Sequence, residues 1–262
     1  MKFSHFAFLI MLCSSCSSYI SDDERLIYVR PANVARAVLI EDFTGQNCLN
    51  CPVAADTIAS LQRQYGDSVV IAVGIHGGPL ARYSTATALG LRTAEGDAYV
   101  ENWGVANTLP KGMVNRSGGI RNYDQWPTAV REAASAQSVL RLGGTATFDA
   151  QSRQLTVSLT ALSADDMADA RLQLWLTESG ITAMQRMPDG SLNRDYVHNH
   201  VLRSVVNGLW GESLPLAADV EQRLSRSVAV APEWRPEQLA VVAFVYTDAG
   251  VQQVVELKVK NQ

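Results

Sequence analysis

The sequence predicts an α/β domain followed by an all-β sandwich. Two observations carry this reading. Apolar strand-like runs alternate with helical periodicity from about Arg36 to Gln137, and from Ser138 onward the period of the apolar residues becomes two. A third observation sets the amino terminus apart, because its first residues match neither pattern and read as an export signal.

Lys2 supplies a positive start, and Phe6-Ala7-Phe8-Leu9-Ile10-Met11-Leu12 is an apolar stretch too short to span a bilayer. Cys13 and Cys16 follow. A lipoprotein signal needs a small residue before the acylated cysteine. Ser15 before Cys16 meets that need, and Leu12 before Cys13 does not. Residues 1–15 are therefore expected to be removed as a signal peptide, leaving Cys16 as the lipid attachment site. A multiply acylated cysteine holds far more firmly than a single chain, at about 0.8 kcal/mol per buried methylene. Ser17 stands where an inner-membrane retention signal would carry Asp, which favours the outer membrane, facing either the periplasm or the cell surface. Polar and acidic residues from Ser17 to Glu24 mark residues 16–35 as a tether. Cys16→Ala is expected to release the protein from membranes and Cys13→Ala to leave it attached; palmitate label retained by Cys16→Ala would overturn the assignment.

Residues 36–137 read as the α/β domain. Ala37 to Phe43 is a buried strand, and Leu49 to Tyr65 is a helix with Ala54, Ile58, Leu61 and Tyr65 on one face and Gly66 at its end. Ser68 to His76 is a second buried strand, so the three make a βαβ unit with parallel strands. Thr93 to Trp103 reads as a helix and Gly112 to Arg116 as a short strand. Asp124 is expected to cap a last helix running to Gln137, with Pro127 in its first turn.

Residues 138–262 read as a sandwich. Leu155, Val157 and Leu159 alternate, as do Leu172, Leu174 and Leu176. Leu239 to Tyr246 and Val251 to Val259 flank the turn Thr247-Asp248-Ala249-Gly250. Several strands with hairpin turns over this length suggest an immunoglobulin-like sandwich. Met184 to Arg226 fits that pattern less well and is expected to include a helix.

The chemistry concentrates at Cys48 and Cys51, which lie between the first strand and the first helix. Unpaired N–H groups and the dipole at a helix start favour a thiolate, and the second cysteine lies near enough to attack a mixed disulfide. The rival reading is a disulfide that only staples a loop in an oxidising compartment, although so short a loop gains little from stapling. Metal binding lacks a second cysteine pair, so neither a metal nor another cofactor is expected. His76 ends the second strand and is a possible accessory: protonated and close to Cys48, it would stabilise a thiolate, whereas otherwise it is a surface or hydrogen-bonded loop histidine. If Tyr196 to Arg203 is a strand, Tyr196, His198, His200 and Leu202 share one face. Trp175, Trp210 and Trp234 are expected to serve packing.

These residues carry a resemblance. The strand Val38 to Phe43 running into Cys48-Leu49-Asn50-Cys51, followed by Thr108-Leu109-Pro110 before a strand, resembles thioredoxin-like proteins over about a hundred residues. It implies that Asp42 is the buried carboxylate assisting proton transfer at Cys51, and that Pro110 is a cis proline facing the cysteines. Asn47 replaces the usual aromatic before the first cysteine, and Leu49-Asn50 replaces Gly-Pro. Glu41 to Pro52, Pro110 to Arg116 and Tyr196 to Arg203 together resemble the Omp-twenty-eight family of outer-membrane lipoproteins. That resemblance implies a thioredoxin-like half joined to an immunoglobulin-like half.

A formal net charge of −4 gives no footprint for nucleic acid. The expected partners are the membrane, through the lipid anchor, and an unknown envelope protein or surface ligand. Two functions follow. One is thiol–disulfide exchange, an enzyme activity the sequence leaves uncertain, with Cys48 attacking and Cys51 resolving. The other is a non-catalytic binding or adhesion lipoprotein that uses both domains as scaffold.

Overall fold

A computed structural model describes residues 33–262. The signal sequence, Cys13, Cys16 and the tether up to residue 32 lie outside the described residues.

Strand β1 (Val34–Ala35) precedes β2 (Val38–Thr44), all seven residues of which are buried. Such a run suits a parallel strand covered on both faces. Helix α1 (Cys51–Tyr65) follows with Pro52 in its first turn, and Gly66 closes it at φ 96°, its N–H donating to the Gln62 carbonyl. Strand β3 (Val70–His76) then pairs parallel with β2, placing Asp42 opposite Gly74 and Thr44 opposite His76. Helix α2 (Ala94–Asn102) is capped by Thr93, whose side chain accepts from the Gly96 N–H. Strand β4 (Lys111–Val114) lies antiparallel on the other side of β2, and β5 (Ser117–Arg121) completes that edge.

The expected cap of the last helix needs correction. Asn122 and Gln125 form a capping box on the short 3-10 turn Tyr123–Gln125, and helix α3 (Trp126–Ala134) continues from it. The helix stops at Ala134 because Gln137–Ser138, strand β6, pairs with β1 instead.

The remaining described chain is β apart from the short 3-10 turn Pro236–Gln238. It comprises β7 (Leu140–Asp149), β8 (Gln154–Ser163), β9 (Arg171–Glu178), β10 (Ile181–Arg186), β11 (Leu192–His198), β12 (Val201–Val205), β13 (Glu212–Ser213), β14 (Gln222–Ala229), β15 (Leu239–Thr247) and β16 (Gly250–Asn261). The helix expected between Met184 and Arg226 is therefore corrected to strands. Pro188-Asp189-Gly190, with Gly190 at φ 83°, turns the chain back on itself and makes a β10–β11 hairpin.

The protein is mostly β, with one large sheet in the order β14-β8-β7-β16-β15-β9-β12-β3-β2-β4-β5 and β13 added to β9. The β10–β11 hairpin is a separate two-stranded sheet. The described residues form one compact unit, and the large sheet passes from the first half to the second where Val201 of β12 meets Gly74 of β3.

Three apolar cores explain the layers. Val38 and Ile40 face Ala54, Ile58 and Leu61 of α1 and Trp126 of α3. Leu39 and Phe43, of the opposite parity, join Tyr99, Trp175 and Phe244 in a core drawn from both halves. In the second half, Leu172, Leu174 and Leu176 pack with Leu155, Val157 and Leu159, so the predicted alternation is observed. Each fully buried Leu, Ile or Val contributes about 1.5–3 kcal/mol relative to exposure, so the shared core binds the halves strongly. Trp175 packs edge-to-face with Tyr99 and Phe244, and its indole N–H donates to the Tyr99 hydroxyl at 2.9 Å. Trp210 packs against the same tyrosine, while Trp234 lies under the Arg203 guanidinium.

Candidate functional site

The alternation of β2 decides what reaches the cysteines. Asp42 and Thr44 share the α1 face with Val38 and Ile40, whereas Glu41 points with Leu39 and Phe43 to the other core. The chain then turns through Gly45. A β-carbon there would stand 2.7 Å from the Leu80 backbone, so only glycine lets the loop lie this close. The Asn47 N–H donates to the Leu80 carbonyl at 2.8 Å, and the Cys48 N–H to the Gly45 carbonyl at 3.0 Å.

Cys48 and Cys51 form a disulfide, with their Cα atoms 5.5 Å apart. Cys51 is the first residue of α1, while Cys48 lies in the preceding turn, so the helix starts two residues later than its apolar pattern indicated. The two cysteines are equally buried, each 3% exposed. A nucleophile with a sheltered partner requires a more exposed Cys48, and the equal burial does not show one. Leu49 and Asn50 between them are exposed.

A cavity of about 400 Å³ opens between α1 and the β10–β11 hairpin. Asp42, Cys51, His76, Gln185, Tyr196 and His198 are among its walls, and Cys48 and Pro110 are not. Asp42 is buried, its Oδ1 atom has no hydrogen-bond partner among the described residues, and burial pushes its pKa up to about 8. The carboxyl therefore holds its proton at neutral pH. Pro110 is buried, follows a cis peptide bond, and precedes Lys111, which pairs with Phe43 at the end of β2.

His76 is buried rather than on the surface. Burial, with the nearby His198 adding to it, lowers its pKa to about 3, so the ring is neutral and places no positive charge beside the cysteines. His198 is likewise held by burial to about 4, its ring 5.6 Å from that of His76 and edge-to-face. His76 Nδ1 and His198 Nε2 lack partners among the described residues. His200 does not continue the face of Tyr196 and His198: β11 ends at His198, and His200 takes a left-handed φ of 57° before β12. No group of three or more His, Cys, Asp or Glu able to hold a metal occurs among the described residues.

Sequence reasoning missed two glutamines. The fully buried Gln46 accepts from the Leu91 N–H at 2.9 Å, and its amide donates to the Leu89 and Met184 carbonyls. Gln185 of β10 donates to the Cys48 carbonyl at 2.9 Å and to the Gly45 carbonyl at 3.4 Å. Nothing local marks either one, because their partners lie 40 to 140 residues away in sequence.

The sequence profile described as "Outer membrane protein Omp28" matches residues 96–262, well over half of the chain. The chain belongs to the Omp28 family. Membership makes it an outer-membrane protein, in agreement with the location expected from the residues after Cys16. No helix among the described residues is long and apolar enough to cross a membrane. No functionally curated protein matches the sequence. Among solved structures it is similar to HBP35 of Porphyromonas gingivalis, at 15% identity and a TM-score of 0.67, covering 86% of this chain and 76% of that one. At that identity the likeness concerns the fold. A domain of the outer membrane lipoprotein Omp28 from Porphyromonas gingivalis matches at 22% identity and a TM-score of 0.35, covering 48% of this chain and 91% of that domain.

Proposed function

We propose that this Omp28-family protein is a lipid-anchored envelope protein that exchanges thiols and disulfides through Cys48 and Cys51. The α/β half is read as thioredoxin-like and the β half as an immunoglobulin-like support. One observation carries the reading: Cys51 shares a cavity with Asp42, a buried carboxyl that holds its proton at neutral pH.

In the oxidised form, a thiolate of a dithiol partner attacks Cys48 Sγ. The Cys48–Cys51 bond breaks, a mixed disulfide forms, and Cys51 leaves with the electron pair and takes the proton of Asp42. The partner's second thiolate then attacks its own sulfur in the mixed disulfide, releasing Cys48 as a thiolate and the partner as a disulfide. The reverse sequence reduces a partner disulfide: Cys48 thiolate attacks it, and Cys51, giving its proton to the Asp42 carboxylate, attacks Cys48 to release the partner as a dithiol and restore the Cys48–Cys51 bond. Cys48 is the attacking residue, Cys51 the resolving one, and Pro110 the wall on the substrate side.

The near-complete burial of Cys48 favours a second reading, in which the disulfide is inert and the protein is a binding scaffold. Trapping separates the two. Cys51→Ala is expected to accumulate a mixed disulfide between Cys48 and an envelope protein, and Cys48→Ala to accumulate none. A Cys51→Ala protein that traps nothing, with a wild-type disulfide that resists dithiols in the folded state, would establish the scaffold.

A further inference from the structure

Burial of both cysteines, each 3% exposed, poses a physical problem for exchange, because a partner thiolate must approach along the S–S axis. The β10–β11 hairpin lies against the loop that carries Cys48. Gln185 donates to the carbonyls of Gly45 and Cys48, the Arg186 N–H donates to the Gln46 carbonyl at 2.8 Å, and Gln46 returns a bond to the Met184 carbonyl at 3.1 Å. Each strand neighbour of this loop that belongs to the large sheet is held by a ladder; the hairpin is not. It pairs only with itself, and six of the seven β11 residues are partly or fully exposed. Its apolar attachment is a cluster of four residues, Leu91, Ile181, Ala183 and Val201.

Both ends of the hairpin also carry backbone suited to a hinge. Gly180 lies at φ 69° immediately before β10, and His200 at φ 57° lies just after β11. Side chains tie these two points together: the Gly180 N–H donates to Asn199 Oδ1, and the His200 N–H to Ser179 Oγ. The hinge is thus stapled at its root, while the far end rests on the cysteine loop through a few hydrogen bonds. A segment with little buried apolar surface and few bonds to its surroundings opens at a free energy well below that of global unfolding.

We propose that the β10–β11 hairpin is a lid over the Cys48–Cys51 disulfide, latched by Gln185, and that a partner thiol reaches Cys48 only after the lid swings out about Gly180 and Asn199-His200. This rests on the exchange reading of the pair and adds a gate to it. Closure keeps small thiols and oxidants of the envelope off the disulfide, and a partner able to displace the hairpin gains access. Gln185 acts as a positioning residue, since it holds the backbone carbonyl of Cys48 rather than its sulfur.

Reduction of the full-length lipoprotein in detergent micelles tests this, with dithiothreitol as the probe and the free thiols counted by alkylation. In the wild type, the rate is expected to level off as the reductant concentration rises, because opening becomes limiting. Gln185→Ala removes the latch and should raise the rate at low reductant on the order of tenfold, as expected from losing two hydrogen bonds. Amide exchange should quicken in the hairpin and stay unchanged in β2 and β15, which separates lid opening from general destabilisation. Exchange that quickens equally in β2 and β15 would overturn the lid. Equal reduction rates in the two proteins would also overturn it: if both are fast, the exchange reading stands without a gate, and if neither disulfide reduces, both ideas fail. A wild-type disulfide that resists dithiothreitol while that of Gln185→Ala yields would also support the hairpin as a lid, one closed to small thiols until a partner displaces it.

Discussion

Asp42→Asn is expected to stabilise the folded protein by about 4 kcal/mol at pH 7 and at the same time to slow reduction of the disulfide roughly a hundredfold. Burial raises the Asp42 pKa from 3.8 to about 8. Between those values the unfolded chain gives up the proton and the folded chain keeps it. The unfolded state therefore binds fewer protons, and stability falls as pH rises through this window. At about 1.36 kcal/mol per pH unit, the interval from 3.8 to 7 gives the stated figure. Asparagine cannot ionise and escapes the penalty, but it has no proton to hand to Cys51. His76 and His198 act in the opposite direction. Each stays neutral in the fold well below the ordinary histidine pKa, so stability is lost as pH falls below about 6.5. That contribution is common to both proteins and cancels in the comparison. Urea unfolding of wild type and variant at pH 4.5 and 7.5, with the disulfide intact, measures the effect. A difference between the two proteins that does not grow with pH would show that Asp42 is not buried as a neutral acid. Stability gained with exchange lost is what separates a proton carrier from a packing residue.

The neighbouring residue carries the opposite expectation. Glu41→Ala should destabilise the protein by about 3–5 kcal/mol. Glu41 is fully buried on the other face of β2, and the Arg116 guanidinium reaches it in a two-pronged contact at 2.8 and 3.2 Å. Burial opposes the charge on Arg116, but the Glu41 carboxylate outweighs it and raises the pKa. The guanidinium also lies 4.6 Å from the ring centre of Tyr246 and 5.0 Å from that of Phe244, in the core that joins the two halves of the chain. Removing Glu41 leaves a positive charge in that core with aromatic faces and no anion. Replacing both partners, as in Glu41→Leu with Arg116→Met, should recover most of the loss, because no uncompensated charge remains. Chemical denaturation of the two variants checks this; a loss below about 1 kcal/mol for Glu41→Ala would mean that solvent reaches Arg116.

Much of this was legible before any coordinates. The buried runs of β2 and β3 were readable from unbroken β-branched and aliphatic residues, and Gly66 from its place after an apolar helical face. Cys48 and Cys51 stood out because a strand, a cysteine pair and a helix follow one another over a short stretch where local pattern suffices, whereas Asp42 was marked only by the resemblance to thioredoxin-like proteins. The second half was readable where alternation was strict, as in β8. It failed between Met184 and Arg226, where β11 is mostly exposed and carries no apolar stripe to announce a strand. The cap of α3 was misplaced because Asn122, Asp124 and Gln125 are all competent polar residues, and only the backbone path selects among them.

The sequence by itself determined the strand–helix–strand order around the cysteines, the β character of the second half outside Met184 to Arg226, the address at the outer membrane and the place of the cysteine pair. Each of these follows from local periodicity, turn chemistry or a short motif, all of which act between near neighbours. Tertiary structure alone decided what those residues experience. The fold brings Gln185 to the Cys48 carbonyl across 137 positions and sets Glu41 against Arg116 in a core drawn from both halves. It also lays the β10–β11 hairpin against the loop that carries Cys48. Burial, proton affinity and access are set by the atoms around a group, and those atoms come from distant parts of the chain. That is why one strand can hold a neutral acid at Asp42 and a paired charge at Glu41, with only the packing of its two faces to tell them apart.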